Sequence, residues 1–219
     1  MKVKITVPES LDDIKLKDFQ KFAKVQKENP DADGLLKLKM IEYFCGLKLK
    51  DIRMISAKDV EDIINDINAS FESKKPLKKF FKFQGVEYGF IPNLEEISFG
   101  EYMDLDTYLA DVENLHKAMA VLYRPVTQKV KDMYLIEDYE GSDKYSDIMR
   151  EAPLSVYLGA QVFFYNLGKE LVRGTMSCLQ AELMTNSELK SHLQDHGVGT
   201  TQFMQSLEGI LLNTNISLN

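Results

Sequence analysis

Asp104-Leu105-Asp106 is a D-x-D, and two carboxylates two residues apart hold a divalent cation when both lie on a loop or on one face of a strand. The surrounding pattern is helical, however, and there positions i and i+2 point about 200° apart. The acids are therefore read as helix charge near an N-terminus, where the macrodipole favours them. Glu188, His192 and His196 follow at intervals of four, so on a helix all three share one face of a kind that suits zinc. No fourth ligand stands in the local pattern, and Gly197 and Gly199 interrupt it, so a solvated helix face is expected. His116 lies between Glu113, Lys117 and apolar neighbours, as a histidine at the edge of a core does. Cys45 and Cys178 are far apart, form no CxxC and have no Cys-His signature beside them, and both read as reduced core thiols. Arg124, just before Pro125, has the charge to anchor a phosphate. A partly buried ion pair with acids upstream is the preferred reading, and Glu101 and Asp104 are the candidates. GxSxG, Walker, GxGxxG and HExxH patterns are all missing. The expectation is a non-enzyme with no cofactor and no metal site.

Glu101, Asp104, Asp106 and His116 lie in an unusual stretch. From Phe83 to His116 the chain has no Lys or Arg, yet it holds eight acids: Glu87, Glu95, Glu96, Glu101, Asp104, Asp106, Asp111 and Glu113. Residues 1–82 balance at +4 and residues 117–219 at −3, within a formal net charge of −7 over 219 residues. Solvated faces are the plain explanation, and pairing of front with middle, or with an oppositely charged partner, is the alternative. The acidic balance argues against a nucleic-acid partner, which calls for a basic face. The opening MKVKITVPES lacks an apolar signal core, and no apolar run reaches the roughly 18 residues that span a bilayer. No membrane is expected as a partner, and the expected compartment is the cytoplasm.

The elements that must carry these residues are mostly helical. Val3, Ile5 and Val7 alternate in a short strand over Lys2 to Val7, ended by Pro8. Helices are predicted over Leu16 to Gln26 and near Leu35 to Cys45, with Gly46 just past the second. Leu49 to Ile55 reads as one short turn or helix. Ser56 then caps a helix on which Val60, Ile63, Ile64, Ile67 and Phe71 share a face. Lys78 to Phe83 and Val86 to Ile91 flank Gln84-Gly85 as a β-hairpin, with lysines guarding its first arm. Phe99 to Leu109 and Leu115 to Leu122 are further helices, the second stopped by Pro125. Met133 to Tyr139 is a strand or an extended connector. Leu154 to Leu183 is a helix apolar nearly all round, so it is either deeply buried or covered by another chain. Phe203 to Leu212 is a last amphipathic helix.

The fold class is thus mainly α with a small β-sheet (α+β). Three parts are expected: a small α+β domain over 1–92, built from the N-terminal strand, the hairpin and helices; a helical domain over 93–185; and a helical tail over 186–219. Tyr123-Arg124-Pro125 would close an acidic helix pair acting as the hinge between front and back.

In GFIPNLEEISFGEYMDLDTYL, LHKAMAVLYRPV and YLIEDYEG the chain resembles a group of tailed-bacteriophage proteins associated with the tail-gene region and with tail assembly chaperones. The resemblance centres on Gly89 to Val126. The stretches KVKITVPESL and MIEYFCGLKLKDI are also similar. None of its motifs is catalytic. It implies a non-enzymatic chaperone that binds the tape-measure or tail-tube protein in the host cytoplasm during virion morphogenesis. The alternative is a structural virion subunit, such as a ring or connector at the head–tail junction, with neighbouring ring subunits as partners. Self-association into a homo-oligomer is compatible with either. Under this resemblance the surplus apolar helix lines a partner groove, through Leu158, Val162, Phe163, Phe164, Leu167 and Leu171.

Overall fold

The computed structural model describes residues 5–109, 111–131 and 133–185. The chain divides into two compact units, Met1–Ala160 and Gln161–Asn219. The first begins with four helices: α1 (Leu16–Glu28), α2 (Asp33–Phe44), the single turn α3 (Leu49–Ile52) and α4 (Ala57–Glu72). Then come β1 (Phe80–Phe83), β2 (Val86–Phe90), α5 (Phe99–Leu109), α6 (Leu115–Leu122), β3 (Tyr123–Val130), β4 (Met133–Ile136) and α7 (Asp143–Arg150). The last element, α8 (Leu154–Thr185), starts in the first unit and continues into the second. The described residues are mainly α with one small antiparallel sheet, an α+β fold.

Local signals account for most of these elements. Gly46 follows α2 with φ of +66°, a left-handed conformation that costs glycine little, so it closes the helix as the C′ residue. The Ser56 hydroxyl accepts from the Asp59 amide at 3.1 Å, and Ile63, Ile64 and Ile67 of the helix it caps are buried. Ser56→Ala should cost about 1 kcal/mol of stability, because one amide at the start of α4 loses its partner. Urea unfolding followed by far-UV circular dichroism reads this directly, and an unchanged midpoint would mean the cap contributes nothing. Between β1 and β2, Gln84 and Gly85 both take positive φ, +49° and +83°, as a two-residue hairpin turn of this hand requires.

The sheet departs from expectation. Its order is β1-β2-β3-β4, with every pair antiparallel. The expected N-terminal strand is not part of it: residues 5–8 are not in a strand, and the rest of that run lies outside the described residues. The edge of β2 is taken instead by β3, in the register Phe90↔Tyr123, Gly89↔Arg124 and Tyr88↔Pro125. Tyr123-Arg124-Pro125 is therefore a paired strand and not a hinge. Proline is tolerated there because it precedes an irregularity between Val126 and Gln128, and bulges are where sheets accept a residue without an amide hydrogen. This pairing joins residues on either side of Pro92 in one sheet, and the two compact units part at Ala160 instead.

The core of the first unit gathers Ile14, Leu16, Ile41, Ile52, Ile67, Met119, Leu122, Tyr123, Met149, Leu154 and Leu158, all essentially inaccessible. The start of α8 is tied to the N-terminal region by backbone bonds, Leu154 to the Ile14 carbonyl at 2.8 Å and Leu16 to the Ala152 carbonyl at 3.0 Å. The Tyr123 hydroxyl donates to the Lys78 carbonyl at 2.8 Å, so even this buried phenol has its partner. In the second unit the described chain is the remainder of α8. Among the described residues no helix is long and apolar enough to cross a membrane. The predicted helical tail over 186–219, including Phe203 to Leu212, lies outside the described residues.

Candidate functional site

Two of the residues that drew attention in the sequence, Glu101 and Arg124, meet at the start of α5. Ser98 and Glu101 form a reciprocal cap. The Glu101 amide donates to the Ser98 hydroxyl at 3.2 Å, and the Ser98 amide donates to Glu101 Oε2 at 2.7 Å. The other carboxylate oxygen of Glu101 receives Arg124 Nη1 at 2.6 Å, with both side chains about 8% exposed. Arg124 arrives from β3, where it lies opposite Gly89. Its Nη1 also donates to the Val121 carbonyl at 3.3 Å, and its buried Nε has no hydrogen-bond partner. The guanidinium lies 5.4 Å from the centroid of the Tyr139 ring.

Of the two acids expected beside Arg124, Glu101 pairs with it. Asp104 instead accepts a short hydrogen bond from the Tyr139 hydroxyl. Asp106 is exposed on the far side of the helix, so the D-x-D does not converge on one point. Among the described residues no group of three metal-ligating side chains comes together.

A pocket of about 380 Å³ opens over this ion pair, lined by Ile91, Ile97, Glu96, Leu135, Asp138 and Tyr139 among others. Its electrostatics are those of held charges. Burial pushes the Glu101 carboxyl up, but its hydrogen bonds from Ser98 and Arg124 outweigh that and leave it below the ordinary value. Glu137, also in the lining, is held low by the Tyr145 hydroxyl and by Lys144. Tyr139 is pushed up by burial and then by the Asp104 carboxylate. Neither shifted carboxyl is raised into the range where it would act as a general acid near neutrality.

The other candidates are placed as follows. His116 Nδ1 lies 3.1 Å from Gln20 Nε2, and burial lowers its pKa, so the ring is neutral at the core's edge. The half-buried Cys45 thiol is pushed up to about 11 by burial and is unreactive at neutral pH. His192 and His196 lie outside the described residues, as does the Cys178 side chain. Of the six apolar residues proposed on α8, Leu158 is 1% exposed and belongs to the core of the first unit, so a partner has no access to it. Val162, Phe163, Phe164 and Leu167 are half-buried in the second unit, where the Phe163 and Phe164 rings meet edge-on at 5.4 Å. The Leu171 side chain is outside the described residues.

Sequence reasoning missed the outward face of α5. Phe99, Tyr102, Met103 and Leu109 are 77%, 54%, 45% and 41% exposed, while the same helix buries Glu101 and Leu105. The helix departs from an ordinary amphipathic one: a carboxylate faces in beside Leu105, while Phe99, Tyr102 and Met103 face out. The S-x-x-E cap at Ser98 was the available signal for the inward Glu101. The chain matches no protein-family model, no curated protein and no solved structure.

Proposed function

We propose that this protein is a non-enzymatic assembly chaperone of a tailed bacteriophage. It binds the tape-measure or tail-tube protein while the virion is built in the host cytoplasm. The observation that carries the reading is the outward face of α5, an apolar surface that the unit does not use for its own packing. This surface falls inside Gly89 to Val126, the stretch with the phage resemblance. A chaperone needs such a surface beside well-hydrated charge, and the neighbouring acids supply it.

A second surface favours the alternative of a permanent virion subunit. Val130, Met133 and Leu135, at the end of the β3–β4 hairpin, are also exposed, and two apolar patches on one chain suit a subunit that meets two neighbours. Mass spectrometry of purified virions separates the readings. A chaperone is absent from the particle and co-purifies with tape-measure or tube protein from infected cells. A ring subunit is present in multiple copies. Recovery of neither partner, with the protein also missing from virions, would sink both.

A further inference from the structure

We infer that the outward face of α5, together with the pocket at its N-terminal end, takes a basic amphipathic segment of a partner protein, with an apolar stripe flanked by lysines or arginines. At about 100° per residue, Phe99, Tyr102, Met103 and Leu109 fall within a stripe about 120° wide, which is the width a helix or strand laid along α5 covers. Single exposed apolar residues are ordinary, but four at helical spacing on an eleven-residue helix form a patch.

Charge decides what covers it. Asp106 sits within the stripe, and Glu95 and Glu96 stand just before the helix. Neither these three nor Asp138 takes part in a salt bridge among the described residues, in contrast to Glu101, which Arg124 holds. A purely apolar partner would leave these acids facing it without counter-charge, and an acidic one would be repelled. A second copy docking through the same face would set Glu95, Glu96 and Asp106 against themselves. The pocket adds a more specific feature. Ile91, Ile97 and Leu135 line it together with Glu96 and Asp138, and apolar walls beside free carboxylates suit the aliphatic stem and charged head of a lysine or arginine.

The inference deepens the reading of the chain as a binding protein and rests on it, but its test needs no phage partner. A labelled amphipathic helix peptide of leucine and lysine is titrated with the full chain and followed by fluorescence anisotropy. A leucine–glutamate peptide of the same pattern is the control. The lysine peptide should bind, more weakly as salt rises, and the glutamate peptide should not. Phe99→Ser with Met103→Ser should weaken binding about tenfold or more. Glu96→Gln with Asp106→Asn should weaken it several-fold and flatten the salt dependence. All four positions lie outside the core, and circular dichroism of each variant checks that the fold is retained. Equal binding of both peptides, or affinities untouched by either pair of substitutions, would overturn the inference. So would sedimentation showing a dimer that the two serines dissolve, because the face would then belong to a second copy. Failure of the peptide with successful capture of a tape-measure protein would reject the basic segment and leave the chaperone reading standing.

Discussion

Arg124→Met should unfold at a markedly lower urea concentration than the parent, with an expected loss of about 3–5 kcal/mol at neutral pH. The guanidinium and the Glu101 carboxylate are both almost fully buried, 2.6 Å apart. Removing one partner leaves the other as an uncompensated charge, largely buried beneath the pocket and poorly hydrated. Glu101→Gln alone has the same flaw in reverse and should be costly too. The double variant, Arg124→Met with Glu101→Gln, should recover most of the loss. Glutamine keeps an oxygen for the Ser98 amide, so the cap of α5 survives while the buried charge disappears. A double-mutant cycle in urea measures this coupling, and strictly additive losses would show that the pair does not act as a unit.

The same substitution has a pH signature. In the parent, the folded Glu101 carboxyl lies below its ordinary value, so its contribution is present above that value and is lost as pH falls through the depressed one. Without Arg124, one of the interactions opposing burial is gone and the carboxyl moves upward. The folded variant then binds its proton more readily than the folded parent. The penalty of Arg124→Met should therefore be greatest at neutral pH and shrink on acidification through the carboxylate range. A penalty that is flat, or that grows as pH falls, would contradict the assignment of Glu101 as the charge left behind.

Gly159→Ala is expected to cost about 2 kcal/mol, although alanine is the better helix former. A Cβ at this position on α8 would lie 2.4 Å from the Pro76 carbonyl oxygen, 3.2 Å from the Pro76 carbonyl carbon and 3.4 Å from Leu77 Cα. All three are backbone atoms, so no side-chain rotation relieves the clash. Overpacking of this kind costs up to about 3 kcal/mol, and the helix-propensity gain returns only about 1 kcal/mol. Gly168→Ala, on the same helix with nothing within 4 Å of its Cβ position, is the control and should be neutral or slightly stabilising. Thermal unfolding of the two variants side by side reads the difference. Equal melting temperatures would mean that α8 does not pack closely on Pro76.

Elements whose signals lie within a few turns of chain were legible. Helix α4 follows from the Ser56 cap and the spacing of Ile63, Ile64 and Ile67, and the first hairpin from Gln84-Gly85. The bounds of α5 and α6 were also readable, since each has its own apolar run. The candidate site was legible in part: Arg124 and Glu101 were singled out as an ion pair, but Asp104 was grouped with them and in fact meets Tyr139. Nothing local distinguishes the two acids. They are three residues apart on one helix, and their partners come from two later segments.

The sequence by itself determined a mostly helical chain with one small sheet and an acidic middle. These properties depend on composition, periodicity and turn residues, which act over short spans. Only the tertiary structure decided that β3 fills the edge of β2, because strand pairing depends on which edge is free and not on the pattern of the strand alone. It likewise decided which way α5 faces. Once Arg124 enters from β3 it must be neutralised, Glu101 turns inward to do so, and Phe99, Tyr102 and Met103 are left on the outside. The inward positions of that helix are thus shared by Glu101, the counter-ion of Arg124, and the apolar Leu105.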